Sequence, residues 1–311
     1  MILVAGEALI DLIPSEGLDG RRRFLPVPGG SPFNVALALG RLGMHPKFLC
    51  GFSQDRFGRI LGERLKEAHV DLSDCPELSG LTTIGFAVPD SEGKTEYAFY
   101  TEGTAGCDLQ SHQLPSVIPP DISAIHFGSF SLAVEPFGSA LEMLCMREAA
   151  CRVISFDPNI RPFLIHDRAR YERRLEAFFQ VADVVKLSDE DLEWLAPGTT
   201  AEVFAADQLA QGISLVIVTA GSGGCHGFCS DGDIRVPAET VQISDTIGAG
   251  DTFQAAVLTA LSEQGLLEKS GVQRMSVGVL ERVLRFASAA AAINCTRPGC
   301  DPPRRQEIKA F

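Results

Sequence analysis

Asp245 and Asp251 bracket a turn of small residues, Gly248, Ala249 and Gly250, in the stretch VQISDTIGAGDTFQAAVLTAL (Val241–Leu261). Beyond Asp251, the residues Phe253, Ala256, Val257, Ala260 and Leu261 recur at helical spacing, which puts the turn at a helix N-terminus. Unpaired backbone N–H groups and the positive end of the helix dipole favour an anion there, and the small side chains let phosphate oxygens approach the backbone. A carboxylate beside an anion is repulsive unless the chemistry needs a proton acceptor. Phosphoryl transfer to an alcohol needs one: a base within reach of the hydroxyl, and backbone donors for the migrating charge. Asp251 fits the base, and the dipole is expected to keep it ionised. A purely structural alternative uses the same letters, with Asp251 as an N-cap and Gln254 completing a capping box.

Three further stretches carry candidate groups. In VPGGSPFNVALALGRLG (Val27–Gly43), Gly29 and Gly30 make a tight turn, Ser31 can cap, Pro32 suits the first helical position and Gly43 can end the helix. Helix grammar does not require Asn34, which together with Asp11 can hydrogen-bond vicinal hydroxyls; a surface asparagine at a helix start is the plain alternative. The strand in VIVTAGSGGC (Val216–Cys225) ends in a glycine-rich turn that suits a nucleotide at the carboxyl edge of a parallel sheet, or a simple loop. In SFDPNIRP (Ser155–Pro162), Asp157, Asn159 and Arg161 follow a strand, and Arg161 either clamps phosphate or pairs with a surface carboxylate.

Strand-like runs, ILVAGEALIDLI, PKFLCG, RVISFD, DVVKLS and SLVIVTAG, alternate with helical patterns, which predicts βαβ crossovers and a mostly parallel sheet covered on both faces. One helix begins near Gln54, with Phe57, Ile60, Leu61, Leu65 and Ala68 forming its core stripe. TTIGFAVPDSEGKTEYAFYTE breaks the rhythm as a β-hairpin, and RRRFLPVP is its expected partner in a small separate sheet. The GKT at its turn is no P-loop, because Val88 stands where that loop needs glycine, and no G-x-G-x-x-G opens a helix. The 311 residues, 45% apolar and 22% charged, are compatible with one α/β domain or two smaller ones, and one domain with an insertion is the starting expectation. A net charge of −13 repels nucleic acid. The N-terminal apolar run has no basic start and holds Glu7 and Asp11, so it reads as neither signal peptide nor membrane span. Nine scattered cysteines without a C-x-x-C pair read as reduced thiols in a cytoplasm, and CHGFC has no second pair to complete a zinc site.

Taken in order, GGSPFNVA, DPNIRP, KLSDEDLEWL, VTAGSGG and DTIGAGDTF resemble the ribokinase-like (PfkB) family of carbohydrate kinases, and the opening GEALIDLIP is similar to its bacterial fructokinase group. The resemblance spans nearly the whole chain. It implies a single three-layer α/β/α domain over residues 1–311, with β-sheet lid segments at approximately 12–28 and 82–105. It implies ATP and Mg²⁺, a K⁺-type monovalent cation, and transfer of the γ-phosphate to a primary sugar hydroxyl. By motif match, Asp251 is the base, and the turn from Gly248 offers the N–H groups of Ala249, Gly250 and Asp251 as an anion hole. Asp245 and the backbone oxygen of Ile247 fall at the monovalent-cation site. Asp11, Gly30 and Asn34 fall on the sugar side, Arg161 is assigned to substrate as well as to the nucleotide side, and Asn159, Ser188 and the Thr219–Gly224 loop, with Gly221, line the nucleotide.

The chain departs from the family pattern in three places. The N-x-x-E signature tied to the Mg²⁺ water network reads Ser188-Asp189-Glu190-Asp191, which leaves Glu190 and Asp191 as alternatives for that role. Thr101 follows the lid aromatics where many members have arginine, which favours a neutral sugar over an acid sugar. Ser288 replaces an asparagine common near the adenine pocket. The resemblance thus implies a hexose kinase acting on fructose, with two lids able to pair in a homodimer. The alternatives are a related kinase for ribose, a nucleoside, aminoimidazole riboside or 2-keto-3-deoxygluconate, and a non-catalytic sugar-binding regulator on the same fold.

Overall fold

The computed structural model describes residues 1–16, 19, 21–89 and 95–308. The hairpin turn at 90–93 and the GK of the GKT tripeptide lie outside the described residues.

The opening apolar run is two strands. A Cβ at Gly6 would lie 2.3 Å from Cγ of Pro32, and the chain turns at this glycine. Strand β1 (Ile2–Ala5) precedes the turn; β2 (Leu9–Glu16) follows it and pairs antiparallel with β3 (Arg22–Gly29). Helix α1 (Ser31–Arg41) leads into β4 (Lys47–Leu49), the short β5 (Phe52–Ser53), α2 (Arg56–Glu67) and the short β6 (Glu77–Leu78). The hairpin is β7 (Ile84–Pro89) and β8 (Thr95–Tyr100). Then β9 (Ala124–Gly128), α3 (Phe137–Glu148), β10 (Val153–Asp157), α4 (Arg168–Val181), β11 (Val184–Ser188), α5 (Asp189–Leu195), α6 (Ala201–Ala210) and β12 (Leu215–Thr219) alternate. The chain ends with β13 (Cys225–Cys229), β14 (Gly232–Val236), α7 (Ala249–Glu263), α8 (Lys269–Gln273) and α9 (Val277–Cys295).

The main sheet has eight strands in the order β14-β13-β12-β11-β10-β9-β1-β4. All are parallel from β4 to β12, and β13 and β14 run antiparallel at one edge. From β1 the chain moves outward to β4, whereas from β9 it moves the other way to β12, so the order reverses between β1 and β9. Ligands of open α/β sheets bind outside the carboxyl ends of the strands at such a reversal. Because parallel crossovers keep one hand, the reversal also splits the helices between the two faces. One layer joins α1 to α2 and to α7, and α7 to α9; the other holds α3 against α4, with α5 and α6 against β11 and β12. Buried on both sides, the central strands read as apolar runs in which Val4, Ile125, Phe127, Ile154, Phe156 and Val216 are inaccessible.

The second sheet runs β3-β2-β7-β8, with β2 parallel to β7. The sequence expectation paired Arg21–Pro28 directly with the hairpin. Instead β2 lies between them: it pairs antiparallel with the next strand, β3, on one edge and parallel with β7 of the hairpin on the other.

Candidate active site

Helix α7 starts at Gly248, in the left-handed region with φ +73°. A Cβ there would also lie 2.4 Å from Sγ of Cys300, so glycine is needed on both counts. The N-cap position is thus Gly248 and not Asp251, and Gln254 builds no capping box: its Nε2 donates to Ser155 Oγ at 2.7 Å. Asp251, in the first turn, is 9% exposed. Its Oδ1 accepts from Ser31 Oγ at 2.6 Å and its Oδ2 from Asn34 Nδ2 at 2.8 Å. The N–H of Ala249 donates to Thr246 O at 3.2 Å, whereas those of Gly250 and Asp251 have no acceptor among the described residues.

The first turn of α1 therefore serves α7. Gly30, not Ser31, occupies its N-cap position, with φ +102°, and a Cβ there would lie 2.8 Å from Glu7 O. Ser31 instead gives its hydroxyl to Asp251 and its N–H to Glu7 Oε1 at 3.2 Å. Fully buried Glu7 also accepts the N–H of Ser131 at 3.3 Å, together with that residue's hydroxyl. A hydrogen-bonded chain thus runs from the Gly6 turn through α1 to the α7 carboxylate. Burial pushes the Asp251 pKa above the usual aspartate value, opposed by the Ser31 and Asn34 hydrogen bonds and by Lys186 and Arg161. The dipole expected to hold it low is outweighed by desolvation.

Asp11 on β2 stands between two glycines of the small sheet. A Cβ at Gly29 would lie 2.3 Å from its Oδ2, and one at Gly85 would lie 2.5 Å from its Oδ1. Burial raises its pKa to about 6 against the charge of Arg161. Arg161 also acts on Asp251, while its NH1 donates to the backbone oxygens of Asn159 (3.3 Å) and Ile160 (3.0 Å). Phe99 of β8 packs on Phe130 and Phe163, with ring centroids 5.6 and 5.7 Å apart, and so ties the small sheet to the body. Asp11, Gly30, Asn34, Arg161 and Asp251 are thereby gathered around the order reversal.

The nucleotide candidates follow the carboxyl ends of β10, β11 and β12. Asn159 has φ +38°. Ser188 caps α5, and its N–H and Oγ both donate to Asp191 Oδ2, at 3.0 and 2.8 Å. Asp191 Oδ1 accepts the Ile160 N–H at 2.7 Å, so both its oxygens are engaged in holding loops, whereas Glu190 is exposed. Thr219 ends β12, Gly221 is exposed with φ +50°, and a Cβ at Gly224 would lie 2.2 Å from Val236 O. Ser288 is buried under β13, its Oγ 3.9 Å from Cys225 Sγ. Asp245 accepts the N–H groups of Ile247 (3.0 Å) and Gly299 (2.9 Å), and Ile247 O accepts Asn294 Nδ2 at 2.8 Å. These oxygens keep lone pairs for a cation. Among the described residues no group of three or more His, Cys, Asp or Glu side chains could hold a metal, and no helix is long and apolar enough to cross a membrane.

One pair beneath α7 went unassigned by sequence reasoning. Lys186 of β11 donates to Asp157 Oδ2 at 2.8 Å. The signal was a lysine inside DVVKLS, a run whose apolar letters predict a strand buried on both faces.

The sequence profile described as pfkB family carbohydrate kinase matches residues 1–307. A fructokinase of Rhizobium leguminosarum bv. trifolii is 44% identical over 272 residues, 88% of this chain and 83% of that protein. The crystal structure of fructokinase with bound ATP from Xylella fastidiosa aligns with a TM-score of 0.87 at 30% identity, covering 99% of this chain and 94% of that one. Fructokinase from Vibrio cholerae O395, in its fructose, ADP and calcium ion bound form, aligns with a TM-score of 0.81 at 26% identity, covering 96% and 94%.

Proposed function

The chain belongs to the pfkB family of carbohydrate kinases, and from that premise we propose that it transfers the γ-phosphoryl group of ATP to a primary hydroxyl of fructose, with Asp251 as general base. The observation that carries the reading is the Asp251 carboxylate, pinned between Ser31 and Asn34 at a helix entrance whose Gly250 and Asp251 N–H groups stay open. As the sugar oxygen bonds to phosphorus, its proton passes to Asp251 and the bond to the leaving ADP breaks. The open N–H groups of the turn receive the charge on the migrating group. A base whose burial raises its pKa is the better proton acceptor.

Asp11, Gly30 and Asn34 orient the sugar, Arg161 stands between sugar and phosphate, and Asn159, Ser188, Thr219, Gly221 and Gly224 line the nucleotide, with Ser288 behind it. Thr101 after β8 supplies no cation, which suits a neutral sugar. Mg²⁺, when bound, neutralises charge on the ATP phosphates; exposed Glu190 suits its water shell, because Asp191 is engaged by Ser188 and Ile160. Asp245 and the Ile247 carbonyl suit a K⁺ ion. Segments 12–28 and 82–105 act as a lid that excludes water, so that the sugar and not solvent takes the phosphoryl group. The aromatic row Phe24–Phe86–Tyr100 has two exposed ends, Phe24 at 46% and Tyr100 at 64%, which supports pairing of two lids in a homodimer. Free thiols suit a cytoplasm.

An ATP-dependent phosphorylation screen over fructose, glucose, ribose, adenosine, aminoimidazole riboside and 2-keto-3-deoxygluconate tests the reading. Fructose is expected to lead in kcat/KM by at least about tenfold, of the order that a few unmatched polar contacts cost. Turnover of another compound in place of fructose would remove the substrate, and turnover of none would remove the kinase. Exchanging K⁺ for tetramethylammonium is expected to lower kcat; an unchanged rate would remove Asp245 and Ile247 as a cation site.

A further inference from the structure

Beneath the first turn of α7 lies a charge to which the reaction just described gives no contact with the transferring group, although it favours the Asp251 anion. The Lys186 side chain is 6% exposed and that of Asp157 1%. Burying such a pair costs several kcal/mol per ion, offset only where geometry is good and every polar atom is satisfied. Here it is not. Asp157 Oδ1 has no hydrogen-bond partner, and among the described residues Asp157 is the only acceptor for the ammonium of Lys186. An apolar pair of similar volume would serve stability as well. The pair also sits where a reacting anion would arrive: a Cβ on Gly250 would lie 3.2 Å from Lys186 Nζ, so the missing side chain of Gly250 is the gap between the ammonium and the turn. Burial would lower the Lys186 pKa, but Asp157, Asp191 and Asp251 raise it by more, and the group stays a cation.

We propose that Lys186 is a further catalytic residue whose ammonium, aimed by Asp157, donates through the gap at Gly250 to an oxygen of the transferring phosphoryl group. The inference rests on the kinase reading above. In the step, the sugar oxygen forms a bond to phosphorus and its proton goes to Asp251. The phosphorus–oxygen bond to the nucleoside diphosphate breaks, and its electron pair stays on the diphosphate. Lys186 keeps its own proton throughout. Its two unclaimed N–H donors find in the migrating group the acceptors that the protein does not supply.

The double variant Lys186→Met with Asp157→Asn removes both charges, so neither is left buried alone. With Mg²⁺, ATP and fructose its kcat is expected to fall by about 10²-fold or more, the cost typical of one lost oxyanion donor. KM for fructose and Kd for ADP should change by less than about threefold, while binding of ADP with beryllium fluoride, a mimic of the phosphoryl group, should weaken by at least about tenfold. A folded double variant within about threefold of the parent in both kcat and beryllium fluoride binding overturns the inference. A second measurement needs no charge removal. In unmodified protein carrying ¹⁵N-lysine, the Lys186 Nζ resonance, assigned with Lys186→Arg, should move when ADP and beryllium fluoride are added and not with ADP alone. An unmoved resonance overturns the inference as well. Failure of the kinase reading looks different: the parent itself would phosphorylate no sugar.

Discussion

Asp251 accepts one donor on each oxygen, and both come from the first turn of α1. A base works only when ionised, so turnover falls as pH drops through its pKa, which burial sets above the usual aspartate value. Ser31, Asn34, Lys186 and Arg161 favour the anion, while Asp157 and Cys300 face the same site from β10 and the C-terminal segment. Removing the Ser31 hydroxyl takes away one stabiliser of the charged form. Ser31→Ala should therefore move the acid limb of kcat/KM to higher pH and lower kcat by about three- to tenfold, the scale of one lost charge-assisted hydrogen bond; a pH–rate profile checks this. At this scale the sequence was informative where residue type exceeded local need. Asn34 stood out because a helix start does not demand it, and Asp251 because a carboxylate beside an anion site is repulsive unless a proton acceptor is needed. Ser31 was hidden because a serine before Pro32 is also ordinary helix grammar, and Lys186 because a strand pattern says nothing of what lies above it.

The small sheet is an element that works by omission. Asp11 fits between β3 and β7 only because Gly29 and Gly85 leave room for its oxygens, at 2.3 and 2.5 Å from the positions a Cβ would take. Gly85→Ala should displace the carboxylate, raising KM for fructose by at least about tenfold with ADP affinity unchanged, since mispositioned hydrogen-bonding groups cost a substrate about that much or more. Fructose kinetics beside ADP titration would check it; an unaltered KM would show that Asp11 does not touch the sugar. The two hairpin strands of this sheet were legible from alternation, but β2 was not, because ILVAGEALIDLI reads as one apolar run that the structure divides between two sheets, and the pairing was not legible either. Period-two patterning sets which face a residue takes, whereas neighbours depend on where distant segments meet, and β2 lies between the two segments expected to pair.

Taken as a whole, the molecule carries destabilising charge at its site. The Asp11 pKa is about 6 against an ordinary 3.8, raised by burial. Between those values the native state binds the proton more tightly than the unfolded chain. Stability therefore falls as pH rises through the window, and the full cost stands above it. Asp11→Asn should accordingly be more stable than the parent near neutrality by about 1–3 kcal/mol, with the advantage gone near pH 4, and should bind fructose more weakly; thermal unfolding at the two pH values checks the sign. The layered architecture was legible because βαβ alternation and buried apolar strands leave few other arrangements. The polar stripe His126, Ser155, Asp157 and Lys186 inside that core was not, because its letters are spread over three strands, β9, β10 and β11, and only the sheet sets them side by side. Ser31, Asn34, Lys186 and Arg161 all act on the Asp251 carboxylate, so the kinase reading is tested most directly by the fructose kinase activity of Asp251→Asn. Its kcat should fall by about 10³-fold or more, with ATP affinity within about threefold of the parent. A kcat within about tenfold of the parent would contradict that reading.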